Sequence, residues 1–71
     1  MATEWQAATL LHDLALLIHP NVRLRDGRLA RVYAERGVWH VTAMDGVDIN
    51  AGLPIGRLCQ WLNDNGAERL G

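Results

Sequence analysis

The chain has 71 residues, of which 49% are hydrophobic and 21% charged, with a formal net charge of −1. That balance excludes a disordered tail, and the length allows one domain with one small core. The net negative charge argues against tight binding to nucleic acid, where affinity comes largely from phosphate neutralisation.

A chain this short gains from reinforcement by a metal, disulfides or a second subunit. Its single cysteine, Cys59, excludes an internal disulfide and any multi-cysteine metal site. Association with a second copy is then the expected reinforcement. Cys59 falls in a helical apolar pattern, which predicts a buried thiol in a reducing cytoplasm. No stretch reaches the roughly twenty apolar residues of a membrane span, and no basic region precedes an apolar run at the N-terminus.

Thr3 and Gln6 have the spacing of a capping box, and a helix is predicted over about 4–18. It presents Ala7, Leu10, Leu11, Leu14, Leu17 and Ile18 as one apolar stripe. Gln6, Thr9, His12 and Asp13 fall on the wet side, and Pro20 ends the element. Trp5 and Leu16 lie off the stripe and are expected to meet another chain, as is Trp61 farther on.

From Val22 to Ile49 apolar and polar residues alternate, broken by Arg25-Asp26-Gly27, Glu35-Arg36-Gly37 and Met44-Asp45-Gly46. This predicts an antiparallel meander of three to four strands over about 22–25, 29–35, 38–44 and 47–49. Three-residue loops at Asp26-Gly27 and Asp45-Gly46, with a two-residue loop at Arg36-Gly37, set the register. Val22 then faces Ala30, Ala34 faces Trp39, Val32 faces Val41, Ala43 faces Val47 and Val41 faces Ile49. One sheet face collects Val22, Leu24, Ala30, Val32, Ala34, Trp39, Val41, Ala43, Val47 and Ile49. The other collects Arg23, Leu29, Arg31, Tyr33, Val38, His40, Thr42 and Met44.

Asn50-Ala51-Gly52 reads as a loop, and Pro54 opens a second helix over about 54–65. Ile55, Leu58, Cys59 and Leu62 form its inner stripe, with Trp61 to one side. Gly66 supplies the left-handed stop. The tail 67–71 is expected to fray, with Leu70 able to fold back on the helix end. The predicted fold is a small α+β domain, helix–meander–helix, with both helices on one sheet face.

All seven basic residues are arginine. Arg23, Arg25, Arg28, Arg31 and Arg36 face only Asp26 and Glu35 within their segment, which therefore carries +3. The remainder, Arg57 and Arg69 against Glu4, Asp13, Asp45, Asp48, Asp64 and Glu68, carries −4. A GC-rich genome accounts for arginine usage, but not for the clustering.

Catalytic patterns are missing. The chain has no serine, its three histidines lack zinc-site spacing, and no glycine cluster joins a strand to a helix N-terminus. Asp45 and Asp48 flank Gly46 as turn and edge residues. The expectation is a protein that is not an enzyme and needs no cofactor or metal.

The order of elements resembles the double-stranded-RNA-binding domain. That family binds through a Lys-rich start of its second helix and a Gly-Pro-x-His-like loop between its first two strands. Here those places read Leu53-Pro54-Ile55-Gly56-Arg57 and Arg25-Asp26-Gly27-Arg28, so the resemblance is architectural and implies no function. Alternation of Arg23, Arg25 and Arg31 resembles the sheet faces that some plant and integrase DNA-binding domains lay into a major groove. By composition, the chain is similar to small acidic α+β proteins of phage and mobile elements that block host machinery, anti-CRISPR proteins among them.

The sequence thus points to a non-catalytic module that binds a host protein or complex as an inhibitor or regulator. Its expected surface is Arg23, Arg25, Arg31, Tyr33 and His40, extended by Trp61. Nucleic-acid binding through the same arginines is the alternative, and a homodimer through Trp5, Leu16 or Trp61 is a separate expectation.

Overall fold

The structure is a computed structural model and describes residues 4–70. Helix α1 spans Ala7–Ala15, followed by strands β1 (Asn21–Arg23), β2 (Leu29–Glu35), β3 (Val38–Ala43) and β4 (Asp48–Leu53). Helix α2 spans Ile55–Asp64, and a two-residue strand, β5 (Glu68–Arg69), closes the chain. The strands form one antiparallel sheet in the order β4-β3-β2-β1-β5. The α+β class and the packing of both helices on the sheet are as the sequence reads. No described helix is long and apolar enough to cross a membrane.

The central register follows side-chain parity. Val22 pairs with Ala30, Val32 with Val41 and Ala34 with Trp39. Arg36 and Gly37 both take positive φ (54° and 79°), the requirement of a two-residue hairpin loop. At the other two turns the Asp26 and Asp45 carboxylates accept from the N–H two residues on, at 3.0 Å each. Buried Val22, Leu24, Ala30, Val32, Trp39 and Val41 meet Leu10 of α1 and Leu58, Cys59 and Leu62 of α2 in one core.

The structure departs from the sequence reading at β4, Val47, the C-terminal tail, Trp5 and α1. β4 runs on through Asn50-Ala51-Gly52, which the sequence reads as a loop, and Val41 pairs with Asn50 rather than Ile49. The register shifts twice along β3–β4, as bulges do, and Gly52 at φ 74° sits where a flat strand would not. Val47 is exposed in its turn rather than part of the core.

The segment expected to fray instead adds β5 to the sheet edge, pairing Val22 with Arg69 and Arg23 with Glu68. Trp5 is buried, not surplus. Its indole N–H donates to the Ala67 carbonyl at 2.9 Å, and its backbone exchanges hydrogen bonds with the Asn63 side chain. A large amphipathic ring with a satisfied N–H suits a thin core.

Helix α1 ends at Ala15, five residues before Pro20, and Gln6 stands at its N-cap without a side-chain cap hydrogen bond. The Thr3 half of the expected capping box lies outside the described residues. Its inner face is Ala7, Leu10, Asp13 and Leu14, while Leu11, Leu16 and Leu17 stand in solvent. Asp13 is only 4% exposed. Arg69 lies opposite Val22 and so projects to the helix side of the sheet, where its guanidinium grips both Asp13 oxygens at 2.7 and 2.9 Å. Bidentate geometry of this kind is the strongest form of charge-assisted hydrogen bond.

Both helices stop in the same way. In α2 the Ala67 N–H reaches back to the Leu62 carbonyl and the Gly66 N–H to Asn63, around Gly66 at φ 60°. In α1 the Ile18 N–H reaches the Asp13 carbonyl and the Leu17 N–H reaches Leu14, around Leu17 at φ 58°. This double hydrogen bond normally ends on a left-handed glycine. α1 places a leucine there.

Two predictions follow from these geometries. Replacing Asp13 with Asn leaves Arg69 without its anion and should cost about 2 kcal/mol, less than a fully buried pair because Arg69 keeps 28% side-chain exposure. In a domain of this size that lowers Tm by roughly 10 °C. The Arg69 hydrogen bonds hold the Asp13 carboxyl below its ordinary 3.8. Its stabilisation is therefore complete above pH 3.8 and lost as pH falls through the lower folded value. Asp26, held down chiefly by the Arg28 backbone N–H, adds to the same acid limb. Acid titration of D13N followed by circular dichroism should show a shallower fall than the native chain. Separately, Leu17→Gly relieves left-handed backbone at an exposed position and should raise stability by about 1 kcal/mol in urea denaturation.

Candidate surface on the outer sheet face

With both helices on one side of the sheet, no described element covers the other. Strand parity places Asn21, Arg23, Leu29, Arg31, Tyr33, Glu35, Val38, His40, Thr42, Asp48 and Glu68 on that outer side. At its centre the Tyr33 and His40 rings, directly paired across β2–β3, stack 5.0 Å apart at an interplanar angle of 17°. Such cross-strand ring pairs stabilise a sheet and fix both side chains.

Tyr33 is fixed further at its tip. Thr42 Oγ1 lies 2.9 Å from Asp48 Oδ1 and 3.3 Å from the Tyr33 hydroxyl. A carboxylate only accepts, so the single Thr42 proton goes to Asp48, and the Tyr33 O–H donates to Thr42. The chain Tyr33–Thr42–Asp48 spans three strands and leaves the phenolic oxygen with free acceptor lone pairs. Beside it Arg31 donates from Nε to Asn21 Oδ1 at 3.2 Å, which leaves its two terminal amino groups available. Arg31, Tyr33 and Thr42 form one wall of a shallow depression of about 630 Å³ whose lining also includes His19, Glu35 and Met44. His40 Nδ1 is buried and has no hydrogen-bond partner among the described residues.

The six residues singled out by sequence divide into three groups. Arg31, Tyr33 and His40 come together on this face. Arg23 lies on it too, but its guanidinium is paired to Glu68 of β5 at 3.0 Å. Arg25 packs against Gly66 at the end of α2, where a Cβ on Gly66 would lie 3.0 Å from Arg25 Nε. Trp61 is partly buried against the core and borders a separate depression with Leu53, Arg57 and Gln60. The expectation that it extends the arginine-bearing surface therefore finds no geometric basis.

Sequence reasoning missed His19, Glu35, Asp48 and Glu68. Parity alone places Glu35 outward. Asp48 needed the shifted β3–β4 register, and Glu68 needed β5. Together they change the electrostatics: Arg23 and Arg31 face Glu35, Asp48 and Glu68, so the outer side is charge-mixed. Three of the clustered arginines, Arg25, Arg28 and Arg36, sit in turns, and Arg28 is paired to Asp26 at 2.6 Å.

Elsewhere, Cys59 is buried and its thiol is pushed up by that burial, which keeps it in the unreactive protonated form. Among the described residues, no three His, Cys, Asp or Glu side chains converge as metal ligands would. The fold and surface define a small α+β domain with a helix-covered and a bare sheet face. Comparison with known protein families, curated proteins and solved structures finds no match to this chain.

One prediction tests the stack. His40→Phe keeps the ring against Tyr33 but removes the partnerless Nδ1, so stability should rise by about 1 kcal/mol in urea denaturation. A loss of stability instead would mean that Nδ1 is satisfied in solution.

Proposed function

We propose that the protein is a non-catalytic binding module that docks a protein partner on its outer sheet face, as an inhibitor or regulator acting by occupancy. The supporting observation is the immobilised Tyr33–His40 stack beside Arg31 on a face that no described element covers. Around it lie exposed Leu29, Val38 and Met44. Tyrosine and arginine flanked by apolar side chains, with charges of both signs at the margin, match the make-up of protein interfaces. A polyanion fits less well, because Glu35, Asp48 and Glu68 would repel phosphates that Arg23 and Arg31 attract.

The test is a partner captured from the native host and titrated against Arg31→Ala combined with Tyr33→Ala. The double variant should keep its circular dichroism spectrum and weaken binding by at least tenfold, about 1.4 kcal/mol. Undiminished binding would place the contact elsewhere. Binding to generic duplex DNA or RNA that falls steeply with added salt would favour the nucleic-acid alternative.

A further inference from the structure

Besides Val47 and Leu70, the remaining exposed large apolar residues fall in one stretch of the chain. Leu11 (54% exposed), Leu16 (56%), Leu17 (81%) and Ile18 (38%) lie on α1 and the turn that ends it. Leu11 also borders a groove of about 570 Å³ formed with Leu14, Trp39, Pro54 and Ile55, which extends the patch to Arg36 at its rim. Between Trp5 and Val22 the one formally charged residue is Asp13, and it is buried and neutralised by Arg69. The solvent face of this helix therefore carries no carboxylate, lysine or arginine, and its one ionisable side chain is the exposed His12, unlike the usual amphipathic surface helix.

That absence of charge selects the occupant. Apart from His12 and the rim Arg36, an acidic, basic or nucleic-acid partner would find nothing to pair with here. A two-fold interface sets a surface against itself, so any charge near the axis meets its like, and an uncharged face has no such penalty. At roughly 180 Å² for a free leucine, the four side chains alone expose about 400 Å², half of what each partner gives to a standard interface of ~800 Å². The groove and the flanking Ala8 and Ala15 add to it. Leu17 contributes a second argument. It holds a left-handed backbone that glycine adopts without strain, yet its side chain projects into water. Burial by a second copy would give that side chain a stabilising role that the single chain does not.

We propose that the chain forms a two-fold homodimer through the uncharged face of α1 and its C-terminal turn, centred on Leu11, Leu16, Leu17 and Ile18. None of these four residues lines the depression beside Arg31 and Tyr33, although His19, next in the chain after Ile18, does, so the inference is tested separately from the partner-binding surface.

Sedimentation equilibrium tests it. The apparent mass should rise from 7.9 kDa toward twice that value as concentration is raised to about 1 mM. Leu17→Glu, at a position too exposed to endanger folding, should weaken dimerisation by at least tenfold while keeping its thermal transition. Arg31→Ala should dimerise like the native chain, and added salt should leave the native dimer unchanged or tighten it. A native chain that stays at 7.9 kDa at about 1 mM overturns the proposal. So does a Leu17→Glu variant that dimerises as tightly, or a dimer that salt dissolves. Adsorption of a monomeric chain to phosphatidylcholine vesicles through the same leucines would overturn it in favour of a lipid occupant.

Discussion

The setting of α1 on the sheet depends on one ion pair. Asp13 and Arg69 are 56 residues apart, and their bidentate contact ties the first helix to the last strand. Around a helix at 3.6 residues per turn, positions 11 and 13 stand about 160° apart. A helix that turns Asp13 inward to reach Arg69 must turn Leu11 outward. The hydrophobic stripe alone would turn Leu11 inward and Asp13 outward, while Ala7, Leu10 and Leu14 face the core either way. Two charges brought out of water must be well paired to survive, and the paired hydrogen bonds at 2.7 and 2.9 Å meet that demand.

The same small strand shapes the opposite surface. β5 sends its two side chains to opposite faces, Arg69 toward α1 and Glu68 toward Arg23. One contact orients the helical layer, and the other removes a free guanidinium from the bare sheet face. Position 66 lets the chain make this return, because glycine accepts both φ 60° and the close approach of Arg25. A two-residue edge strand therefore decides the character of both exposed surfaces: uncharged leucines on one side, a charge-mixed aromatic cluster on the other.

Much of the fold was legible in the sequence. Asp-Gly and Arg-Gly turns bracket runs that alternate with period two, and these local signals set the register from Val22 to Ala43. The pairing of Tyr33 with His40, and the outward direction of Arg31, follow from that parity. What parity cannot give is the number of unpaired residues in a bulged strand. Two shifts along β3–β4 moved Asn50 opposite Val41 and brought Asp48 to Thr42, which completed the hydrogen-bonded tip of Tyr33.

By itself the sequence determined the α+β class, the antiparallel meander, the buried thiol at Cys59 and the place of Arg31, Tyr33 and His40 on one face. These depend on neighbours within a hairpin or a helical turn, whose geometry is encoded over a few residues. Only the tertiary structure decided the burial of Trp5, the strand at Glu68–Arg69 and the inward turn of Asp13. It also decided the exposure of Leu11, Leu16 and Leu17 and the neutralising carboxylates around the arginines. Each of those outcomes is a contact between residues far apart in the chain, and local periodicity carries no information about which distant partner a side chain will meet.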